Sequence, residues 1–246
     1  MTAMPDILLF RHAATDMGDG PRRYIGRTEV PLSGEGREQA VAWRPRLAGL
    51  AVARAYASPL ARALETARLM LGQDDGTDGK DGRSGLPGTA GASGIPVTVL
   101  ADLAEMDLGE WEGLAQAQVR ETRPDAYARR GREPWTFRPP GGECCADVAA
   151  RGLRALSAMW RDCAGEEEGE RGCATGRPCL AGGVADHVHA PLVLAVSHAG
   201  LIRSVLCALG HIGRNELLTL PVRHLQCVRL RRHETGWGVV SPDWQP

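Results

Sequence analysis

The chain has 246 residues, a net charge of −1 at pH 7 and 43% hydrophobic residues, enough to bury a substantial core. A near-neutral balance without acidic or basic tails gives no electrostatic footprint for a nucleic acid, and no run reaches the ~20 apolar residues that a bilayer span needs. Met1-Thr2-Ala3-Met4-Pro5-Asp6 lacks the charged and apolar regions of a signal peptide, so a cytosolic location is expected, where seven scattered cysteines do not suggest a disulfide framework. The apolar run Ile7-Leu8-Leu9-Phe10 predicts a buried first strand over 6–10, closing at Arg11-His12. A polar loop over 13–31 carries Gly18, Gly20, Pro21 and Gly26. Ser33 is a plausible N-cap for a helix through Ala40, Trp43, Leu47 and Leu50, which Pro45 should kink or shorten. Residues 52–57 are strand-like. Ser58-Pro59 predicts the next helix start, with serine as N-cap, proline at the first helical position and a stripe of Leu60, Leu64, Ala67 and Leu71.

Residues 72–96 are glycine-rich with almost nothing to bury and are expected to be an insertion within the fold. A short strand over 97–100 follows, then a helix over 143–162 with Val148, Leu156 and Met159 inward. Residues 164–190, rich in Gly and Glu, form a second expected insertion. A second apolar run, Leu192-Val193-Leu194-Ala195-Val196, closes at Ser197-His198 and leads into a helix with Leu201, Ile202, Val205 and Leu209 on one face. Two more strands are expected at 224–230 and 237–240. Strands separated by helices argue for one α/β domain over 1–246 with two loop insertions, and no internal repeat is visible.

Arg11-His12 and Ser197-His198 each end a strand and precede a small residue or a helix start. In a doubly wound sheet that is the ligand crevice. Two imidazoles with arginines close by suit a phosphoryl group. His12 can attack phosphorus when neutral, with its other ring nitrogen held by a hydrogen bond. Arg11 offers planar donors for phosphate oxygens, Arg62 lies near a helix N-terminus, and His198 adds a donor or a positive charge. Glu105 is the best general acid for the leaving oxygen, with Asp107, Glu110 and Glu112 close in sequence; a solvated acidic loop is the bland alternative for that segment.

Five blocks stand in the order of a known family: Arg11-His12; Gly26-Arg27-Thr28-Glu29-Val30-Pro31-Leu32-Ser33; Ser58-Pro59-Leu60-Ala61-Arg62-Ala63; Glu105 with Gly109-Glu110-Trp111-Glu112-Gly113; and Val196-Ser197-His198-Ala199-Gly200. In this the chain resembles the histidine phosphatase superfamily, which includes cofactor-dependent phosphoglycerate mutases and α-ribazole phosphatases; its loop over 23–29 looks closer to the α-ribazole phosphatase-like members. The resemblance implies a phosphoglycerate mutase-like three-layer α/β/α sandwich with a mostly parallel sheet. It implies His12 as the phosphorylated nucleophile, Glu105 as proton donor, Arg11, Arg62 and His198 as the phosphate pocket and Arg27 as a substrate contact. Three positions depart from the family pattern: Ala13 and Ala199 stand where glycine is usual, and Gly18 stands where many members carry Asn.

The expected function is therefore a phosphomonoesterase working through a phosphohistidine, without metal or cofactor, on a small phosphorylated metabolite; α-ribazole 5′-phosphate is one candidate. A phosphoglycerate mutase and a non-catalytic phospholigand-binding protein of the same fold are the alternatives, the first set aside because of Gly18 and the insertions, the second because the full residue set is present. Neither nucleic acid nor membrane is expected as a partner, and a homodimer stays open. Cys163, Cys173 and Cys179 with Asp186, His187 and His189 fit no compact zinc spacing. Arg120, Arg123, Arg129, Arg130, Arg132 and Arg138 could favour an anionic substrate or form a solvated basic face, the second being the default, and His211, His224 and His233 read as surface or packing residues.

Overall fold

The computed structural model of the chain describes residues 4–18, 20–73, 94–164 and 190–245. Most of the two expected insertions, with Cys173, Cys179, Asp186, His187 and His189, lies outside the described residues. Six strands form one mixed sheet in the order β3-β2-β4-β1-β5-β6. They are β1 (Asp6–Arg11), β2 (Val52–Ala57), β3 (Val97–Val99), β4 (Leu192–Ser197), β5 (Cys227–His233) and β6 (Gly236–Ser241). The pairs β1–β4, β2–β4 and β2–β3 are parallel, whereas β5 runs antiparallel to both β1 and β6.

Side chains alternate along β1 and feed opposite layers, as a strand buried on both faces must. Ile7 and Leu9 join Val148, Leu156 and Met159 of α6 (Cys145–Ala164) and Leu201, Ile202 and Val205 of α7 (Ala199–Ala208). Leu8 and Phe10 join Ala40 of α1 (Gly34–Val41), Leu47 of α2 (Arg44–Ala48) and Ala63, Ala67 and Met70 of α3 (Ala61–Leu71). The expected three-layer α/β/α architecture is thus observed. Ser33 caps α1 as expected, its Oγ accepting from the Gly36 N–H at 3.0 Å. Pro45 sits in the first turn of α2, so the single helix expected after Ser33 is two.

Two expectations need correction. α3 begins at Ala61, not at Pro59, and Ser58 is not its cap; the Ala61 N–H donates instead to the Glu29 carboxylate at 3.1 Å, while the Ser58 hydroxyl is engaged elsewhere. The helix expected from 143 starts at Cys145, which frees Glu143 for an ion pair described below. Two further helices, α4 (Gln116–Thr122) and α5 (Pro124–Arg132), fold over a small cluster of Tyr24, Trp111, Val119 and Phe137.

Candidate active site

The chain leaves β2, β4 and β1 at one sheet edge. The Ser58 N–H donates to the Val196 carbonyl at 2.9 Å and the His12 N–H to the Ser197 carbonyl at 2.9 Å, so Ser58, His198 and His12 come together. The His12 and His198 rings lie 5.1 Å apart between centroids, and both residues are buried. His12 Nδ1 is 2.8 Å from the Ala13 carbonyl oxygen, which fixes the proton on Nδ1 and leaves the Nε2 lone pair for chemistry. Burial pushes the His12 pKa down to about 3; the Ala13 carbonyl opposes this, and the charges of Arg11 and Arg62 add to it. The ring is neutral at pH 7.

His198 Nε2 lies 2.7 Å from Ser58 Oγ, a hydroxyl that also accepts from the Leu60 N–H at 3.3 Å. Nδ1 of His198 is buried without a partner among the described residues. In the tautomer in which the Ser58 hydroxyl donates its hydrogen bond to Nε2, the neutral ring carries its hydrogen on Nδ1, a donor awaiting an acceptor. Full burial holds the His198 pKa well below the usual histidine range, and the fields of His12, Arg62 and Arg11 work the same way.

Arg11 donates from Nη1 to the Val222 carbonyl at 2.6 Å, and its buried Nε has no partner among the described residues. Burial lowers its pKa to about 10, with Glu105 opposing. Arg62, the second residue of α3, donates to the carbonyls of Thr28 at 2.8 Å and Gly26 at 2.7 Å. Carbonyls aim these guanidinium planes without neutralising them, so the charge remains for an anion.

Glu105 lines the same cavity, of about 530 Å³, with Arg11, His12 and Arg62. One of its oxygens accepts from the Met106 N–H at 2.8 Å, the other from the Gly200 N–H at 3.1 Å in the first turn of α7. A Cβ at Gly200 would meet Glu105 Oε1, so a side chain there would push the carboxyl from its place. The loop carrying Glu105 is held by Arg151 of α6, which donates to the carbonyls of Asp102 at 2.9 Å, Ala104 at 2.5 Å and Glu105 at 3.0 Å. Arg151 pairs with Glu143 at 2.8 Å, and Glu143 accepts in turn from the Asp107 N–H at 2.8 Å.

Glu112 accepts from the backbone N–H groups of Gly26, Arg27, Thr28 and Leu108 and from the Thr28 hydroxyl. Burial raises its pKa, but these donors outweigh it and the carboxyl sits below its ordinary range. It locks the loop whose carbonyls orient Arg62. The segment around Glu105 is therefore structured by its acidic residues and is not merely a solvated face.

Of the residues singled out from the sequence, His12, Arg11, Arg62 and Glu105 line one cavity, whereas His198 is fully buried against the His12 ring and is not itself a lining residue. Arg27 is outside the residues lining the cavity; its Nη2 lies 3.5 Å from Glu143. Ala13 is fully buried, its N–H donating to Thr66 Oγ1 at 3.1 Å, and Gly18 is not a lining residue. Of the six arginines over 120–138, only Arg130 lines the cavity. Four basic lining residues were missed: His224, Arg203, Arg22 and Arg23. His224 lines the cavity with its ring 5.7 Å from His12, and partial desolvation together with the Arg11 charge pushes its pKa down to about 4. Arg203 of α7 lines it as well.

Matched against protein families, residues 7–78 and 88–245 fit the model described as the histidine phosphatase superfamily, branch 1. The chain belongs to the histidine phosphatase superfamily. A histidine phosphatase relative from Mycobacterium tuberculosis, glucosyl-3-phosphoglycerate phosphatase, is 31% identical over 240 residues, covering 98% of this chain and 86% of that protein. A 2,3-bisphosphoglycerate-dependent phosphoglycerate mutase of Gloeobacter violaceus is 26% identical over 91% of this chain and 84% of its own length. The crystal structure of the α-ribazole phosphatase from Shigella flexneri superposes with a TM-score of 0.67, covering 97% of this chain and 96% of that one; at 19% identity it speaks for the fold alone. The expectation of a phosphatase of this superfamily holds. Among the described residues no helix is long and apolar enough to cross a membrane.

Proposed function

We propose that this histidine phosphatase hydrolyses phosphomonoesters through a phosphohistidine on His12. The observation that carries the reading is the pairing of a neutral His12, its Nδ1 held by Ala13, with Glu105 on the same cavity wall. In the first step the Nε2–phosphorus bond forms in line as the bond to the leaving oxygen breaks, and Glu105 gives that oxygen its proton. Arg11, Arg62 and His198 Nδ1–H hold the equatorial oxygens, where the arginines carry the positive charge that many phosphoryl-transfer sites draw from a metal ion. In the second step Glu105 takes a proton from water, whose oxygen bonds phosphorus as the Nε2–phosphorus bond breaks. Arg27 positions the 26–28 loop through Glu143. The whole of 1–246 works as one domain, with 72–96 and 164–190 as insertions.

The name of the M. tuberculosis relative makes glucosyl-3-phosphoglycerate the first substrate to try, and α-ribazole 5′-phosphate the second. The test is phosphate release in EDTA from these two, p-nitrophenyl phosphate and 3-phosphoglycerate, with His12→Ala as control. Metal-independent release that falls at least about 10³-fold in His12→Ala, with acid-labile phosphate trapped on the wild type, is the expected result. The G. violaceus relative gives one alternative a footing: isomerisation of 3-phosphoglycerate only after priming by a bisphosphorylated effector makes the protein a mutase. Undiminished hydrolysis by His12→Ala overturns the mechanism.

A further inference from the structure

β5 reaches its place beside β1 through a tight turn over residues 223–226, closed by the Gln226 N–H on the Arg223 carbonyl at 3.1 Å. The third residue of that turn, Leu225, has φ +56°, where glycine or asparagine is usual. Among the described residues it is the one non-glycine with a positive φ. Its side chain is buried with Leu8 and Phe10 in one core layer, and its N–H donates to the Arg11 carbonyl at 3.1 Å. The Arg11 N–H donates in return to the Gln226 carbonyl at 3.0 Å, and Arg11 Nη1 to the Val222 carbonyl at 2.6 Å. The turn is thus clamped to the residue that precedes His12. Backbone strain persists where the surroundings over-determine it, and such places are often functional.

The second residue of the turn is His224, and its ring lies 5.7 Å from the His12 ring at an interplanar angle of 43°. His12 therefore has two imidazole neighbours of opposite kinds. His198 is fully buried, whereas His224 is exposed and lines the cavity. Neither ring nitrogen of His224 has a hydrogen-bond partner among the described residues. An exposed ring without partners adds little to packing, so stability alone does not account for the strained turn that holds it. Desolvation and the Arg11 charge push its pKa down to about 4, which leaves a neutral ring with one N–H at pH 7. A neutral donor suits this wall, because Arg11 and Arg62 already supply the positive charge and a further cation would be repelled by them.

We propose that His224 is a further catalytic residue, whose ring N–H hydrogen-bonds an oxygen of the phosphoryl group as it passes to and from His12. The role rests on the phosphohistidine reading of His12. His224 keeps its proton throughout, and no bond to phosphorus is made or broken at it. His198 and Arg62 reach the phosphoryl group from the buried side, and His224 holds it from the open side, where water enters for the second step.

Orthovanadate, which can accept a fifth ligand as phosphorus does in transit, is the probe. Its dissociation constant, from titration calorimetry, and steady-state kinetics on p-nitrophenyl phosphate compare the wild type with two variants. His224→Phe keeps a ring without donors, and His224→Gln keeps an N–H; the position is exposed, so neither threatens the fold. For His224→Phe the expected result is vanadate binding weakened roughly tenfold and a similar fall in kcat, with KM changed less than about threefold. His224→Gln is expected to recover most of both losses. A side chain that merely shapes the wall would move KM and leave vanadate affinity alone. Vanadate affinity and kcat within about twofold of wild type in His224→Phe, or equal losses in the two variants, overturn the role. Vanadate binding is read without turnover. A wild type that releases no phosphate and takes none onto His12, yet loses vanadate affinity in His224→Phe, leaves the hydrogen bond standing and removes the phosphatase reading instead.

Discussion

Glu105 is held twice by backbone amides, from Met106 and from Gly200, so its carboxyl is positioned before any substrate arrives. A proton donor matters in proportion to how badly the leaving group needs the proton. Glu105→Gln is expected to lower kcat by roughly 10²–10⁴-fold on alkyl phosphates, whose alkoxide leaves poorly. On p-nitrophenyl phosphate, whose phenolate leaves readily, the loss is expected to be several-fold only. Steady-state kinetics on the two substrate types checks this; an equal loss on both removes Glu105 from proton transfer. Ser58 works at the same scale. Its hydroxyl serves His198 at 2.7 Å, which leaves the cap of α3 to Glu29.

Among the elements, the loop over 26–28 depends on one carboxylate. Removing it in Glu112→Ala strands the N–H groups of Gly26, Arg27, Thr28 and Leu108. The expected loss is about 3 kcal/mol in urea unfolding, with kcat falling too because Arg62 leans on the carbonyls of Gly26 and Thr28. A change within about 0.5 kcal/mol, the range of an ordinary surface substitution, refutes the role given to Glu112. Much of the element level was legible in the chain itself, because β1 and β4 are continuous apolar runs that end at their histidines. What was not legible has physical reasons. α5 buries no residue and α4 buries only Val119, so neither writes an apolar stripe into the sequence. His224 precedes a strand instead of ending one, and only the antiparallel pairing of β5 with β1 carries that flank to the catalytic edge. Arg151 and Glu143 read as helix residues until the loop of Glu105 is folded against them.

At the scale of the whole molecule, the neutral histidines make stability depend on pH. The unfolded chain protonates His12 and His198 below about pH 6.5, whereas the folded protein resists until far lower, so the unfolded state binds more protons and stability is lost as the pH is lowered. Between pH 7.5 and 5.5 the two rings are expected to cost about 2–3 kcal/mol of unfolding free energy. Urea titrations at the two pH values measure this. Most, but not all, of the pH dependence is expected to disappear in the double variant His12→Ala, His198→Ala, because His224, held down to about 4, keeps a single-ring share; a wild type equally stable at both values contradicts neutral rings in the fold. Buried Asp6, paired with Arg229 and Arg231 at 2.6 and 2.7 Å, ties β1 to β5 across the same sheet.

The sheet order also bears on how the chain acquires its activity. β4 lies between β2 and β1 yet follows both by a long stretch of chain. A nascent polypeptide emerging from the ribosome therefore holds two hydrophobic strands with unpaired flanks until residues 192–197 arrive to bridge them. Any fragment ending before that point lacks His198 and has no means of bringing Ser58 beside His12. Chaperone demand should peak in that window, and capture of phosphate by the finished protein reports that the last central strand has docked.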